Sequence, residues 1–172
     1  KTIVIDISHG GEDHGAIFEN YNEKEIVFNI ASKMIELNQN SNFKIILTRV
    51  SDDFISLEDR TQMINDLKPE LVISLHANLH QDINRNGTEI YISEKNKEIE
   101  KSKVLAQNIS QSFNNDKVKI KNANFHMLRK VKYPIVLVEL GFISNDSDRE
   151  KLTSEEGQTE LANSILKAIN KD

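Results

Sequence analysis

Short apolar runs rich in Ile and Val recur at residues 2–6, 43–48, 71–75, 88–92 and 135–140, and turn-forming residues bound most of them. These runs predict five strands. Between them the apolar positions recur at helical spacing. Residues 23–38 place Ile26, Val27, Ile30, Ala31, Met34 and Leu37 on one stripe, and similar patterns span 56–66, 97–113 and 157–170. The βα alternation predicts an α/β fold. Strands such as Ile135–Val138, apolar at consecutive positions, need helices over both faces, so the expectation is a single three-layer domain over residues 1–172 with a mostly parallel central sheet.

Asn22 can cap the 23–38 helix, with Glu25 three residues on in a capping-box-like position, which puts Glu23 at the first helical residue. In open α/β sheets ligands gather beyond the carboxyl ends of the strands. His9 follows the first strand in Ser8-His9-Gly10-Gly11, His76 follows Leu71–Leu75, and Glu139 closes Pro134–Val138 ahead of Gly141. An ionised carboxylate at the end of so apolar a run costs several kcal/mol unless a metal or partner compensates it. Two histidines and one carboxylate form a familiar catalytic zinc shell that leaves a fourth position for water, and a further glutamate can act as base. His9, Glu23, His76 and Glu139 are therefore the candidate site. Gly10 and Gly11 let the chain turn sharply and are expected to leave room for something bulky beside the His9 imidazole, and Gly141 is expected to open space after Glu139. His14, His80 and His126 sit in turn-like or polar contexts, and His14 and His80 lie near enough to the set in sequence to replace or extend it.

Composition narrows the class. A charged fraction of 28% and an apolar fraction of 38% are those of an ordinary water-soluble domain, and no apolar run reaches the roughly 18 residues of a membrane span. A net charge of -5 argues against nucleic acid, whose binding needs a basic face, and the lysines between Lys117 and Lys132 read as a solvated strip. There is no cysteine, so any metal must be held by nitrogen and oxygen. Lys1 abuts the first strand, the expectation being a mature or excised domain. Arg49 and Arg60 are expected to pair with nearby acids such as Asp52 or Asp59, while Arg129 is a candidate for an anionic substrate group.

Ordered along the chain, Ile3–Gly11, Asn22–Glu25, Leu47–Arg49, Ser56–Arg60, Ser74–Asn78 and Val138–Asn145 resemble the motifs of the zinc-dependent N-acetylmuramoyl-L-alanine amidases, bacterial cell-wall hydrolases. The resemblance runs nearly end to end. It implies a zinc-exopeptidase-like fold, Zn2+ held by His9, Glu23 and His76, Glu139 as the catalytic glutamate, peptidoglycan or muropeptides as substrate, and an extracytoplasmic location, with a wall-binding domain possible outside this chain. Ile7 and Ser8 stand where the family usually has Pro-Gly, and His14 where it usually has Pro, which puts the geometry of the first loop in question. Some members carry a helix that blocks the cleft; the short stretch from Asn78 to Thr88 predicts an open one. The competing readings are a zinc exopeptidase acting on small peptides and a peptidoglycan-binding module without turnover.

Overall fold

The computed structural model describes residues 1–113 and 117–171. Its centre is a six-stranded sheet in the order β4 (Lys44–Leu47), β1 (Thr2–Ile7), β5 (Leu71–Asn78), β8 (Ile135–Phe142), β6 (Glu89–Ile92), β7 (Lys119–Asn122). The first four of these run parallel; β6 lies antiparallel to β8, and β7 runs parallel to β6 at the sheet's edge. A two-stranded ribbon, β2 (Ile17–Phe18) with β3 (Tyr21–Asn22), leads into α1 (Glu23–Leu37).

Helices cover both faces, giving the expected three layers. On one side α1 packs against α6 (Glu155–Ile169), which is flanked by α3 (Ile99–Ser112) and α5 (Asp146–Thr153). On the other lie α2 (Leu57–Leu67) and the short α4 (His126–Lys130). The period of two along each strand sorts the side chains. Ile3, Ile5, Ile7, Ile73, Leu75, Val136 and Val138 join the large core beneath α1, α3 and α6, while Val4, Val72, Ile135 and Leu137 join the smaller core beneath α2 and α4. That same alternation turns Asp6, Ser74, His76 and Glu139 toward the second face.

Some local expectations need correction. β7, α4 and α5 lie outside the elements read from the pattern. Lys119–Asn122 holds one apolar residue, Ile120, on an edge, α4 is barely one turn, and Asp146–Thr153 is so polar that only Leu152 is buried. α6 begins at Glu155, two residues before the expected start, because Ser154 caps it by accepting from Gly157 N. The cap on α1 is as expected, with Asn22 Oδ1 accepting from Glu25 N at 3.0 Å. Among the described residues no helix lies between β5 and β6, and none is long and apolar enough to cross a membrane.

Candidate metal centre

His9 sits on a left-handed backbone, φ 63°, followed by Gly10 and Gly11, also at positive φ. The glycines serve the approach of a neighbouring loop rather than room beside the imidazole. A Cβ on Gly10 would lie 2.1 Å from Asp53 O, and one on Gly11 would lie 2.9 Å from Phe54 N. Three cations hold this loop by its carbonyls. Arg49 donates to Ile7 O, Ser8 O and Lys24 O, Lys24 Nζ to Gly11 O, and Arg60 to Ile7 O and His9 O. The unusual Ser8 is accommodated by donating its hydroxyl to Leu75 O at 2.6 Å, which ties the loop to β5.

Arg60 and Arg49 do not pair as the sequence suggested. Arg60 ignores Asp59 and donates to Asp6 Oδ1 at 2.9 Å with both side chains buried, because strand alternation points Asp6 into the face that α2 covers. Asp52 is taken by Lys24 at 2.9 Å, and Arg49 spends its donors on carbonyls.

His76 and Glu139 lie within their strands and not past the ends, since β5 continues to Asn78 and β8 to Phe142. They are register partners on adjacent strands, with a register shift between His76 and Asn78. Gly141 does not open the cleft either; it lets Asp148 pack close, 3.3 Å from where its Cβ would be, so that Asp148 Oδ2 accepts from Phe142 N.

Glu23, the first residue of α1, reaches both histidines. Its Oε1 lies 3.0 Å from His9 Nε2 and its Oε2 lies 3.1 Å from His76 Nδ1. The backbone N–H groups of Ala16 and Ala77 donate to the same two oxygens. One donor atom from each of His9, Glu23 and His76 falls within 4.8 Å of the others. The imidazoles meet edge to face, with centroids 5.6 Å apart.

The electrostatics follow from this packing. Burial opposes charge on every member, yet the mutual hydrogen bonds win at three of them. Glu23 is held well below the usual carboxylate range by His76 and His9. His9 is pushed up to about 9, and His76 also upward, chiefly by Glu23. Glu139 is different. Burial pushes its carboxyl up to about 7 against the opposing charge of His76, with Glu23 and Glu89 adding to the rise. Its Oε2 is buried without a hydrogen-bond partner, which is costly unless the site uses that atom.

These groups form the floor of a cleft of about 820 Å³ whose walls include Phe54, Leu57, Leu79 and Phe125, all substantially exposed. Of the other histidines, His126 lines this cleft; His80 Nδ1 accepts from Asp82 N, and its ring packs on Phe142. Neither they nor His14 belong to the donor cluster.

Gly15 escaped the sequence reading. At φ +69° a Cβ there would lie 2.6 Å from Glu23 Oε1 and 2.7 Å from His9 Cδ2. Gly15→Ala is expected to add about 1–2 kcal/mol of backbone strain and to displace Glu23, lowering metal affinity about tenfold or more. Metal titration of the variant, with circular dichroism to establish that it folds, checks this.

The sequence profile of the N-acetylmuramoyl-L-alanine amidase family matches residues 3–171. The Bacillus subtilis protein YqiI is 33% identical over 99% of this chain and 84% of its own length. The N-acetylmuramoyl-L-alanine amidase LytC of B. subtilis is 34% identical over 88% of this chain but only 31% of its own. Among solved structures, the catalytic domain of CwlV, an N-acetylmuramoyl-L-alanine amidase from Bacillus (Paenibacillus) polymyxa, superposes with a TM-score of 0.88 at 30% identity, covering 99% of this chain and 97% of that one. With a family match across almost its whole length, the chain belongs to the N-acetylmuramoyl-L-alanine amidase family.

Proposed function

We propose that this chain hydrolyses, with zinc, the amide bond joining the lactyl group of N-acetylmuramic acid to the L-alanine of the peptidoglycan stem peptide. The observation that carries the proposal is the convergence of His9, Glu23 and His76 beside the buried, unpartnered Oε2 of Glu139 on the cleft floor. Two imidazoles and one carboxylate, with no thiolate in the chain, form a donor set that suits zinc. When bound, the metal supplies Lewis acidity, making water acidic near neutral pH and steadying negative charge on the carbonyl oxygen.

The remaining steps fall to the protein. Glu139 takes a proton from the attacking water at its unpartnered Oε2 and returns it to the leaving amine of L-alanine, and its burial favours that uptake. Glu23, whose two oxygens also accept from the Ala16 and Ala77 N–H groups, would serve as a ligand and would not compete for that proton. The exposed apolar residues around the cleft, Phe54, Leu57 and Phe125, offer contact surface to an extended substrate and reduce the water around the reacting bond. Because this substrate lies outside the cytoplasm, the reading places the enzyme's work in the periplasm, the wall or the secreted fraction.

Incubating the zinc-loaded protein with purified peptidoglycan and measuring new L-alanine amino termini tests the reading. Release that a chelator stops is the expected result. Free amino acids appearing in place of L-alanine amino termini would point to an exopeptidase, and zinc bound without any release would point to a binding module.

A further inference from the structure

Beneath His76 runs a chain of buried polar side chains that the proposed chemistry does not use. His76 Nε2 lies 3.1 Å from Ser74 Oγ, and Ser74 Oγ lies 2.6 Å from Asp6 Oδ2. Asp6 Oδ1 in turn accepts from Thr48 Oγ1 and Arg60 Nη1, each at 2.9 Å. Asp6, Ser74, Thr48 and Arg60 are all buried, Ser74 completely, and Thr48 is fixed by the Ile7 N–H it accepts.

Hydrogen-bond accounting gives this chain a direction. Asp6, ionised beside the Arg60 guanidinium, can only accept. Thr48 and Arg60 occupy its Oδ1, which leaves Oδ2 to Ser74. The serine hydroxyl has one proton, and the 2.6 Å contact commits it to Asp6. Ser74 Oγ therefore faces His76 with a lone pair, and the proton between them must sit on His76 Nε2. The other ring nitrogen, Nδ1, is the one directed at Glu23.

We infer that Ser74 and Asp6, braced by Arg60, are positioning residues that fix the tautomer and ring orientation of His76, so that Nδ1 is its metal-binding atom. This inference rests on the metal reading of His9, Glu23 and His76. The device recurs in different form on the other histidine, where Asp13 Oδ2 lies 2.8 Å from His9 Nδ1 and Nε2 faces Glu23. The two rings thus offer opposite nitrogens to one site. Partners of this kind typically change metal affinity by about 10–100-fold.

The test uses Ser74→Ala and Ser74→Thr, read by zinc affinity in competition with a chelating dye and by long-range 1H–15N spectra of the His76 ring. The expected result is an Nε2-protonated His76 in the zinc-loaded wild type, zinc affinity about tenfold weaker in Ser74→Ala, and recovery of most of it in Ser74→Thr, which retains the hydroxyl. Ser74→Ala binding zinc as tightly as the wild type would overturn the relay while leaving the metal site intact. So would an Nδ1-protonated His76 in the zinc-loaded wild type, whatever the variants' folding. A wild type that takes up no zinc overturns the metal reading and this inference with it.

Discussion

Replacing Glu139 with glutamine is expected to reduce kcat for L-alanine amino-terminus release by about 10³-fold while leaving one metal bound per chain. Glutamine keeps the size and one oxygen of the side chain but cannot take up a proton at neutral pH. The separation of the two readouts is what makes the experiment informative. Glu139 stands beside the donor cluster as the register partner of His76 and is not a member of it, so its carboxylate can be removed without removing a ligand. Turnover at the wild-type rate would sink its role as base. Loss of both metal and turnover would reassign it as a ligand.

The second large effect concerns stability. Asp6 and Arg60 are 1% and 2% exposed, and each is the other's charge partner. Removing one leaves an uncompensated buried charge, so Asp6→Ala is expected to cost about 3–5 kcal/mol, with Arg60→Ala of similar size. Replacing both with apolar residues of similar volume, as in Asp6→Leu with Arg60→Met, should recover part of that loss, because desolvation of the pair offsets most of its attraction while the Ile7 and His9 carbonyls and the Thr48 and Ser74 hydroxyls lose their partners. Urea unfolding of Asp6→Leu, Arg60→Met and the double variant measures this; a loss in the double variant equal to the sum of the two single losses would show that the two residues do not act as a pair. The double variant also removes the support beneath Ser74, so it should regain stability without regaining zinc affinity.

The parts of this molecule legible in the sequence are those written in local periodicity. Runs such as Ile135–Val138 and the stripe from Ile26 to Met34 are dictated by burial on the sheet and on one helix face, and both form the elements they suggest, whereas Leu37, read onto the same stripe, is exposed at the end of α1. The convergence of His9, Glu23 and His76 was legible because His9 follows a strand, Glu23 starts a helix and His76 lies near the end of another strand. The pairing of Asp6 with Arg60 was not, since it depends on which face of β1 the helix α2 covers, a fact of tertiary topology. Yet Asp6 within Ile3–Ile7 is, like Glu139, a carboxylate in an apolar strand, and it needs a partner for the same reason. Gly15 was missed for another reason: its role comes from two side chains that only the folded loop brings against it.

A flat sheet edge invites a second chain to add a strand, and β7 is such an edge. It is only four residues long, it alternates Lys119 and Lys121 with Ile120 and Asn122, and Lys121 is tied back to Glu89 on the neighbouring strand. A strand docking there would have to desolvate Lys119 and disturb that ion pair. The lysines that looked in the sequence like a plain solvated strip thus also put a cost on adding a strand at this edge.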